Sequence, residues 1–237
     1  LDPDLVVDQM VTLREKYGAR HIFFADEALT PRTLRALSDR LGDRQGSHAP
    51  GDLHWCGCAR FDPALKPDLL QAMSNAGCRM LLFGLETAAP TTIEHMHKGT
   101  QPAVMSRILR DGARAGIWNH TFFFFGFPGE TMEAAQETVN FVYAHQDAIH
   151  SASPGAFLLE RYSPVHCDPD AYGVSRITED PARDLAIYFD YAVTSGLDEP
   201  MADTVASRLI DVLPEKEFGQ YYIIDAYRFL YAGSLWA

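Results

Sequence analysis

Apolar residues follow two alternating rhythms along this chain. Between residues 3 and 17, Leu5, Val6, Met10, Leu13 and Tyr17 recur at helical spacing, and Gly18 follows. The pattern predicts an amphipathic helix with Asp2 as N-cap and Pro3 and Asp4 in the first turn. HIFFA (21–25) reads as a buried strand. A helix from Pro31 carries Leu34, Leu37 and Leu41 on one face, and 42–52 is a polar loop. The alternation continues: strand 53–59, helix 67–76, strand 78–86, two short helices within 90–115 broken near Gly99, strand 120–126, helix 130–147 and strand 155–162. Strands alternating with helices predict βα units and a parallel sheet.

After Tyr162 the rhythm changes. SPVHCDPDAYG reads as a loop, and residues 180–234 read as helical throughout. These expectations divide the chain at 165, with a barrel-like α/β unit over 1–165 and a loop and helical extension over 166–237. The aromatic run FGQYYIIDAYRFLYAG (218–233) is expected to pack on the α/β unit, a partner surface being the alternative. Because the chain opens on Leu1 with a crossover helix, it reads as a fragment whose first strand lies upstream, with no secretory leader.

Composition narrows the function classes. A formal net charge of -12 disfavours general binding to nucleic-acid backbones. No apolar run reaches membrane-spanning length. The four cysteines, Cys56, Cys58, Cys78 and Cys167, match neither a zinc knuckle nor a disulfide framework. Free thiols in an acidic chain favour the cytoplasm.

Polar residues gather where strands end. Strand alternation places His54, Cys56, Cys58 and Arg60 on one face and Trp55 and Gly57 on the other. Cys56 and Cys58 are either small core fillers or ligands in a barrel interior. Arg60 suits a carboxylate, from a ligand or a surface ion pair. Glu86 ends an apolar strand, either solvated at the mouth or aimed at a ligand hydroxyl, and Gly84 on the same face leaves room beside it. Of Asp26 and Glu27, adjacent acids facing opposite ways, at most one enters a site, and a helix N-terminal charge is the alternative. In GFPGET (126–131), Gly126 and Gly129 allow close backbone approach, or the string is a strand-to-helix turn with Glu130 favouring the helix start. Lys98 sits in a loop break; by itself it reads as solvated.

Together, IFFADE, the WCGCAR strand, NAGCRMLLFGLET, the MHKG loop, GFPGET and SPVHCDPDAYG resemble, in order, the radical S-adenosylmethionine (SAM) superfamily, especially members linked to a cobalamin-binding domain. The likeness covers about residues 1–175. It implies a TIM-type (β/α)6 partial barrel, here lacking its first strand. It also implies a [4Fe–4S] cluster on three cysteines of a CxxxCxxC motif, reductive cleavage of SAM, and methyl transfer, rearrangement or cyclisation of a small-molecule or peptide substrate. A flavodoxin- or ferredoxin-like electron donor and, as in the cobalamin-linked members, bound cobalamin belong to the same picture. By resemblance, Ala25 and Asp26 meet the methionyl amino group, Arg60 the amino-acid end of SAM, Glu86 the ribose and Lys98 the carboxylate. Phe122, Phe124 and Gly126 line the adenosine pocket.

The chain departs from the family pattern in three places. ADE stands where a Gly-Gly-Glu type motif is common, and Phe122 stands where some relatives carry an acid. The CxxxCxxC motif is absent from these 237 residues, so the cluster ligands are expected upstream and this piece is expected to be inactive by itself. The competing expectations are a different, metal-dependent βα-barrel enzyme and a non-catalytic scaffold that has lost the cluster.

Overall fold

The computed structural model describes residues 2–26, 28–44, 53–179, 185–212 and 225–235. Five parallel strands, β1 (His21–Phe23), β2 (His54–Ala59), β3 (Cys78–Glu86), β4 (Trp118–Phe125) and β5 (Ser151–Ala156), pair in chain order. Helices α1 (Pro3–Tyr17), α2 (Pro31–Arg44), α3 (Pro67–Asn75), α4 (Pro90–His95), α5 (Pro102–Arg114) and α6 (Met132–Ala144) alternate with them. This is the α/β fold of a partial TIM-type barrel: the alternation predicts the parallel sheet, and the resemblance implies the barrel.

Local signals act as expected in α1. The Asp2 carboxylate accepts from the Asp4 amide at 3.0 Å, and Gly18 closes the helix at φ 68°. The sheet faces divide as the period-two pattern requires. Trp55, Leu81, Phe83, Phe123 and Phe125 turn outward into the main core beneath the helices. Each such side chain contributes roughly 1.5–3 kcal/mol by leaving water. The indole Nε1 of Trp55 donates to the Ala76 carbonyl at 2.9 Å, so the largest core residue leaves no polar atom stranded.

Two expectations beyond residue 150 are corrected. The strand expected at 155–162 is β5, four residues earlier in its start, followed by a two-residue strand β6 (Leu159–Glu160). SASPGA resembles a loop, but β5 is the edge of its sheet, where Pro154 can sit without breaking a ladder on both sides. The region expected to be helical throughout carries β8 (Tyr188–Val193). It pairs antiparallel with β6 and with β7 (Val174–Thr178), which follows the one-turn helix α7 (Pro164–Cys167). β7 contains Val174, Ile177 and Thr178, and β8 buries Phe189 between exposed Tyr188 and Asp190. That local period of two defeats a helix.

Helices do follow. α8 (Glu199–Val212) packs against β4 and β5. α9 (Asp225–Ser234) takes the opposite side: Phe229 and Ala232 pack against Cys56, Met80, Leu82 and Trp118, the inward-facing residues of the sheet. The approach is close. A Cβ on Gly233 would stand 2.9 Å from both His21 Nε2 and His54 Nδ1. The described part of the aromatic run thus packs inside the sheet's curve; residues 218–224 lie outside the described residues. Among the described residues, no helix is long and apolar enough to cross a membrane.

Candidate functional site

The C-terminal ends of β2, β3 and β4 open onto a cavity of about 910 Å³, which Arg60, Glu86, Lys98, Cys58, Leu82 and Phe122 help to line. Parallel βα units deliver loop and tip residues to this end, the usual place for a site in such folds. Arg60, Glu86, Lys98 and Phe122 therefore come together although they are far apart in sequence.

Glu86 is held in an unusual way. The β3–β4 ladder slips between Gly84 and Glu86, and Glu86 takes φ 59°, in the left-handed region that non-glycine residues rarely adopt. Its carboxylate folds back over Gly84, where Oε1 accepts from Lys98 Nζ at 2.9 Å. A Cβ on Gly84 would lie 2.3 Å from that same oxygen, so only glycine permits the fold-back. Burial lowers the Lys98 pKa; Glu86 opposes the shift and Arg60 adds to it. Arg60 Nη2 donates to the Lys98 carbonyl at 3.3 Å, and Thr100 Oγ1 donates to the Phe61 carbonyl at 3.1 Å. The 97–100 loop is thereby tied to the tip of β2. The result is a cation pair, a carboxylate and an aromatic wall around one space, which suits a zwitterionic ligand with hydroxyl groups.

The other expected site residues lie elsewhere. Ala25 and Asp26 are exposed and outside the cavity lining, whose nearest wall is the following segment, Ala28 to Pro31. Glu27 lies outside the described residues. Phe124 shares the inward face of β4 with Phe122 but packs on Phe157, 5.6 Å between ring centres. Gly126, at φ 79°, faces α8, where a Cβ would meet that of Ala202 at 2.7 Å. The lining residues that sequence reasoning missed, such as His97 and Thr100, carry no distinguishing spacing and are placed by the loop's ties to β2.

Glu130 also differs from its expected role at a helix start. It is buried, and its Oε2 accepts from the Gly126 amide at 2.6 Å. Burial raises its pKa to about 7; the Gly126 and Phe127 amides and the Thr87 hydroxyl act against the shift. The helix start belongs to Thr131, whose side chain accepts from the Ala134 amide at 3.2 Å.

The thiols fall into two environments. Cys56 is fully buried against α9, and burial pushes its pKa up, as core filling requires. Cys58 is half-buried on the cavity wall, with its pKa raised by burial and then by Asp225. Cys78 turns to the opposite face, and Cys167 is exposed in α7. Four cysteines so dispersed do not fit an iron–sulfur cluster. Among the described residues, no group of three or more His, Cys, Asp or Glu side chains could hold a metal ion.

A parallel α/β sheet with a charged cavity at its strand tips defines an enzyme-like partial barrel. The sequence model of the radical SAM superfamily matches residues 1–142, and the chain belongs to that superfamily. An uncharacterized methyltransferase, PH0819, of Pyrococcus horikoshii is 29% identical over 161 residues, covering 65% of this chain and 34% of the relative. The structure of TsrM from Kitasatospora setae, a radical SAM methyltransferase with tryptophan substrate and a SAM analogue bound, matches with a TM-score of 0.62 at 21% identity. That match covers 70% of this chain and 32% of TsrM. OxsB, a cobalamin-dependent SAM radical enzyme solved with aqua-cobalamin, matches with a TM-score of 0.66 at 14% identity, over 100% of this chain and 42% of its own. The chain thus spans roughly a third to two fifths of the length of these relatives.

Proposed function

We propose that this chain is the SAM-holding part of a radical SAM enzyme acting by methyl transfer, rearrangement or cyclisation on a small-molecule or peptide substrate. The observation that carries the reading is the Arg60, Glu86 and Lys98 constellation around one cavity at the tips of adjacent parallel strands, in a chain of this superfamily. Arg60 and Lys98 hold the amino-acid end of SAM through its carboxylate. Glu86 accepts hydrogen bonds from the ribose hydroxyls. Phe122 presents its ring to the adenosine; Ala25 and Asp26, outside the cavity lining, are left out of this assignment. Residues 1–165 form the barrel unit in this assignment, and 166–237 an accessory region.

A [4Fe–4S] cluster, on cysteines supplied outside these 237 residues, would provide the electron that cleaves SAM. The likeness to TsrM and OxsB supports cobalamin as a further cofactor. A flavodoxin- or ferredoxin-like donor in the cytoplasm completes the picture. A non-catalytic scaffold is the second reading, favoured by the absence of a cluster-binding cysteine set from this chain.

The longer gene, expressed anaerobically, reconstituted with iron and sulfide and given SAM and reductant, is expected to yield 5′-deoxyadenosine. The yield should vanish when the three upstream cysteines become alanine and fall at least tenfold in Glu86→Gln. Absence of product from the cluster-loaded protein would favour the scaffold.

A further inference from the structure

On the outer layer, away from the strand tips, α6 and α8 leave a groove of about 590 Å³ between them. Both helices start at the same end of the sheet. The Leu197 amide, just ahead of α8, donates to the Glu130 carbonyl, just ahead of α6, at 2.8 Å. α1 packs closely on α2 and α2 on α3, but among the described residues α6 and α8 make no such pairing. The two walls of the groove repeat one spacing. Met132, Gln136 and Val139 follow one another at i, i+4 and i+7 on α6, and Met201, Val205 and Arg208 do so on α8. Val139 and Val205 rest on the main core and Leu209 is buried, so the floor is apolar. Met132 and Met201 form the lips, 46% and 45% exposed.

Most polar groups along the groove already have partners. Thr204 Oγ1 donates to the Pro200 carbonyl at 2.9 Å, and Gln136 Nε2 donates to Asn140 Oδ1 at 3.0 Å. Asp198 caps α8, its Oδ1 accepting from the Met201 amide at 3.0 Å, and the residue stays exposed. Arg208 is exposed and makes no hydrogen bond or ion pair among the described residues. The groove thus lacks two things: apolar cover for a two-turn stripe and a counter-charge for Arg208. Asp198 and Arg208 mark opposite ends of the α8 wall, about 15 Å apart along the helix axis from their ten-residue separation. Helices favour acids in their first turn and bases in their last. A helix laid antiparallel to α8 brings its acids to Arg208 and its bases to Asp198, while apolar anchors at i, i+3, i+4 and i+7 reach between the methionines. Methionine suits such surfaces because its unbranched thioether adapts to a partner's shape.

We propose that the groove between α6 and α8 is a docking surface for one amphipathic helix of a partner protein, bound antiparallel to α8 with a first-turn acid on Arg208 and a last-turn base on Asp198. The groove shares no lining residue with the strand-tip cavity, so this surface stands independently of the SAM assignment.

The test uses the whole 237-residue chain with isotope-labelled methionine methyl groups, which report Met132 and Met201 separately from Met10, Met73, Met80, Met96 and Met105 by NMR. The probe is an end-blocked peptide of about 14 residues, near the shortest length that holds a helix in water. It carries leucines at i, i+3, i+4 and i+7, glutamates in its first turn, lysines in its last and glutamines elsewhere. Saturable binding is expected to move the Met132 and Met201 signals and leave the others in place. A peptide of the same composition with its leucines dispersed around the helix should bind about tenfold more weakly. Met132→Gln combined with Met201→Gln, both at exposed lips, should weaken the first peptide about tenfold while the thermal melt stays where it was. Arg208→Glu should weaken it about fivefold, and lysines in place of the peptide's first-turn glutamates should restore the loss. No folding defect imitates that exchange of charges. No saturable binding, equal binding of the dispersed peptide, binding that survives the methionine variant, signals that move only elsewhere, or an Arg208→Glu loss that the exchanged peptide does not restore would each overturn the proposal. Met132 and Met201 signals that move with the chain's own concentration, without peptide, would give the groove to a second copy and overturn it as well.

Discussion

At the end of β3, Glu86 keeps 26% of its side chain in water and pairs with Lys98 across an open cavity. Just past the end of the neighbouring β4, Glu130 is 3% exposed and caps the Gly126 amide. The two residues are chemically identical and close adjacent strands of one sheet. Surroundings separate them: a mouth with two cations suits the first to the binding role proposed for it, and a dry turn covered by α8 makes the other a structural tie. Strain marks the first, with its positive φ, whereas a shifted pKa marks the second. A perturbed titration by itself does not separate site from scaffold in this barrel, since Lys98 in the cavity and Glu130 in the turn both carry one.

The largest expected effect tests the buried member through pH. The folded state raises the Glu130 pKa from 4.5 to about 7, so ionisation on raising the pH favours the unfolded chain. Stability is fully present below pH 4.5 and is lost as the pH passes about 7. Urea unfolding should show Glu130→Gln gaining about 3 kcal/mol on the unmutated protein across that window. Parallel curves for the two proteins would place Glu130 in water. Next, at about pH 5, Glu130→Ala should cost about 2 kcal/mol through the lost tie and the space left behind, whereas Glu86→Ala should cost less than about 1 kcal/mol. A reversed order would break the contrast. Below these main effects comes Gly84→Ala, whose new methyl displaces the Glu86 carboxylate. SAM affinity by calorimetry should fall about tenfold, roughly 1.4 kcal/mol, and unchanged affinity would detach the fold-back from binding.

Much of this was legible beforehand, for a physical reason. Side-chain alternation is a local property, so the inward face of Cys56 and Cys58 and the outward face of Trp55 followed from the sequence. The Asp2 and Gly18 helix signals are equally local. The bulge at Gly84 and Glu86 is not, because it depends on register against β4. Nor is the place of α9. The aromatic run reads as packing on the α/β unit, but nothing in it shows that Phe229 and Ala232 take the concave side of the sheet. The antiparallel strands β7 and β8 were missed because their period of two is short and lies between helical stretches.

The position of α9 also governs the order of assembly. Gly233 rests on His21 and His54, so contacts of the last described helix reach back to the first described strand, across roughly two hundred residues of chain. During synthesis β1 to β5 emerge long before that helix. Until it arrives, Cys56, Met80, Leu82 and Trp118 lack the cover of Phe229 and Ala232, a sticky surface of the kind that invites aggregation. Completion of the barrel is thus a late event, and slow translation before residue 225 would lengthen the interval in which the nascent sheet needs a chaperone.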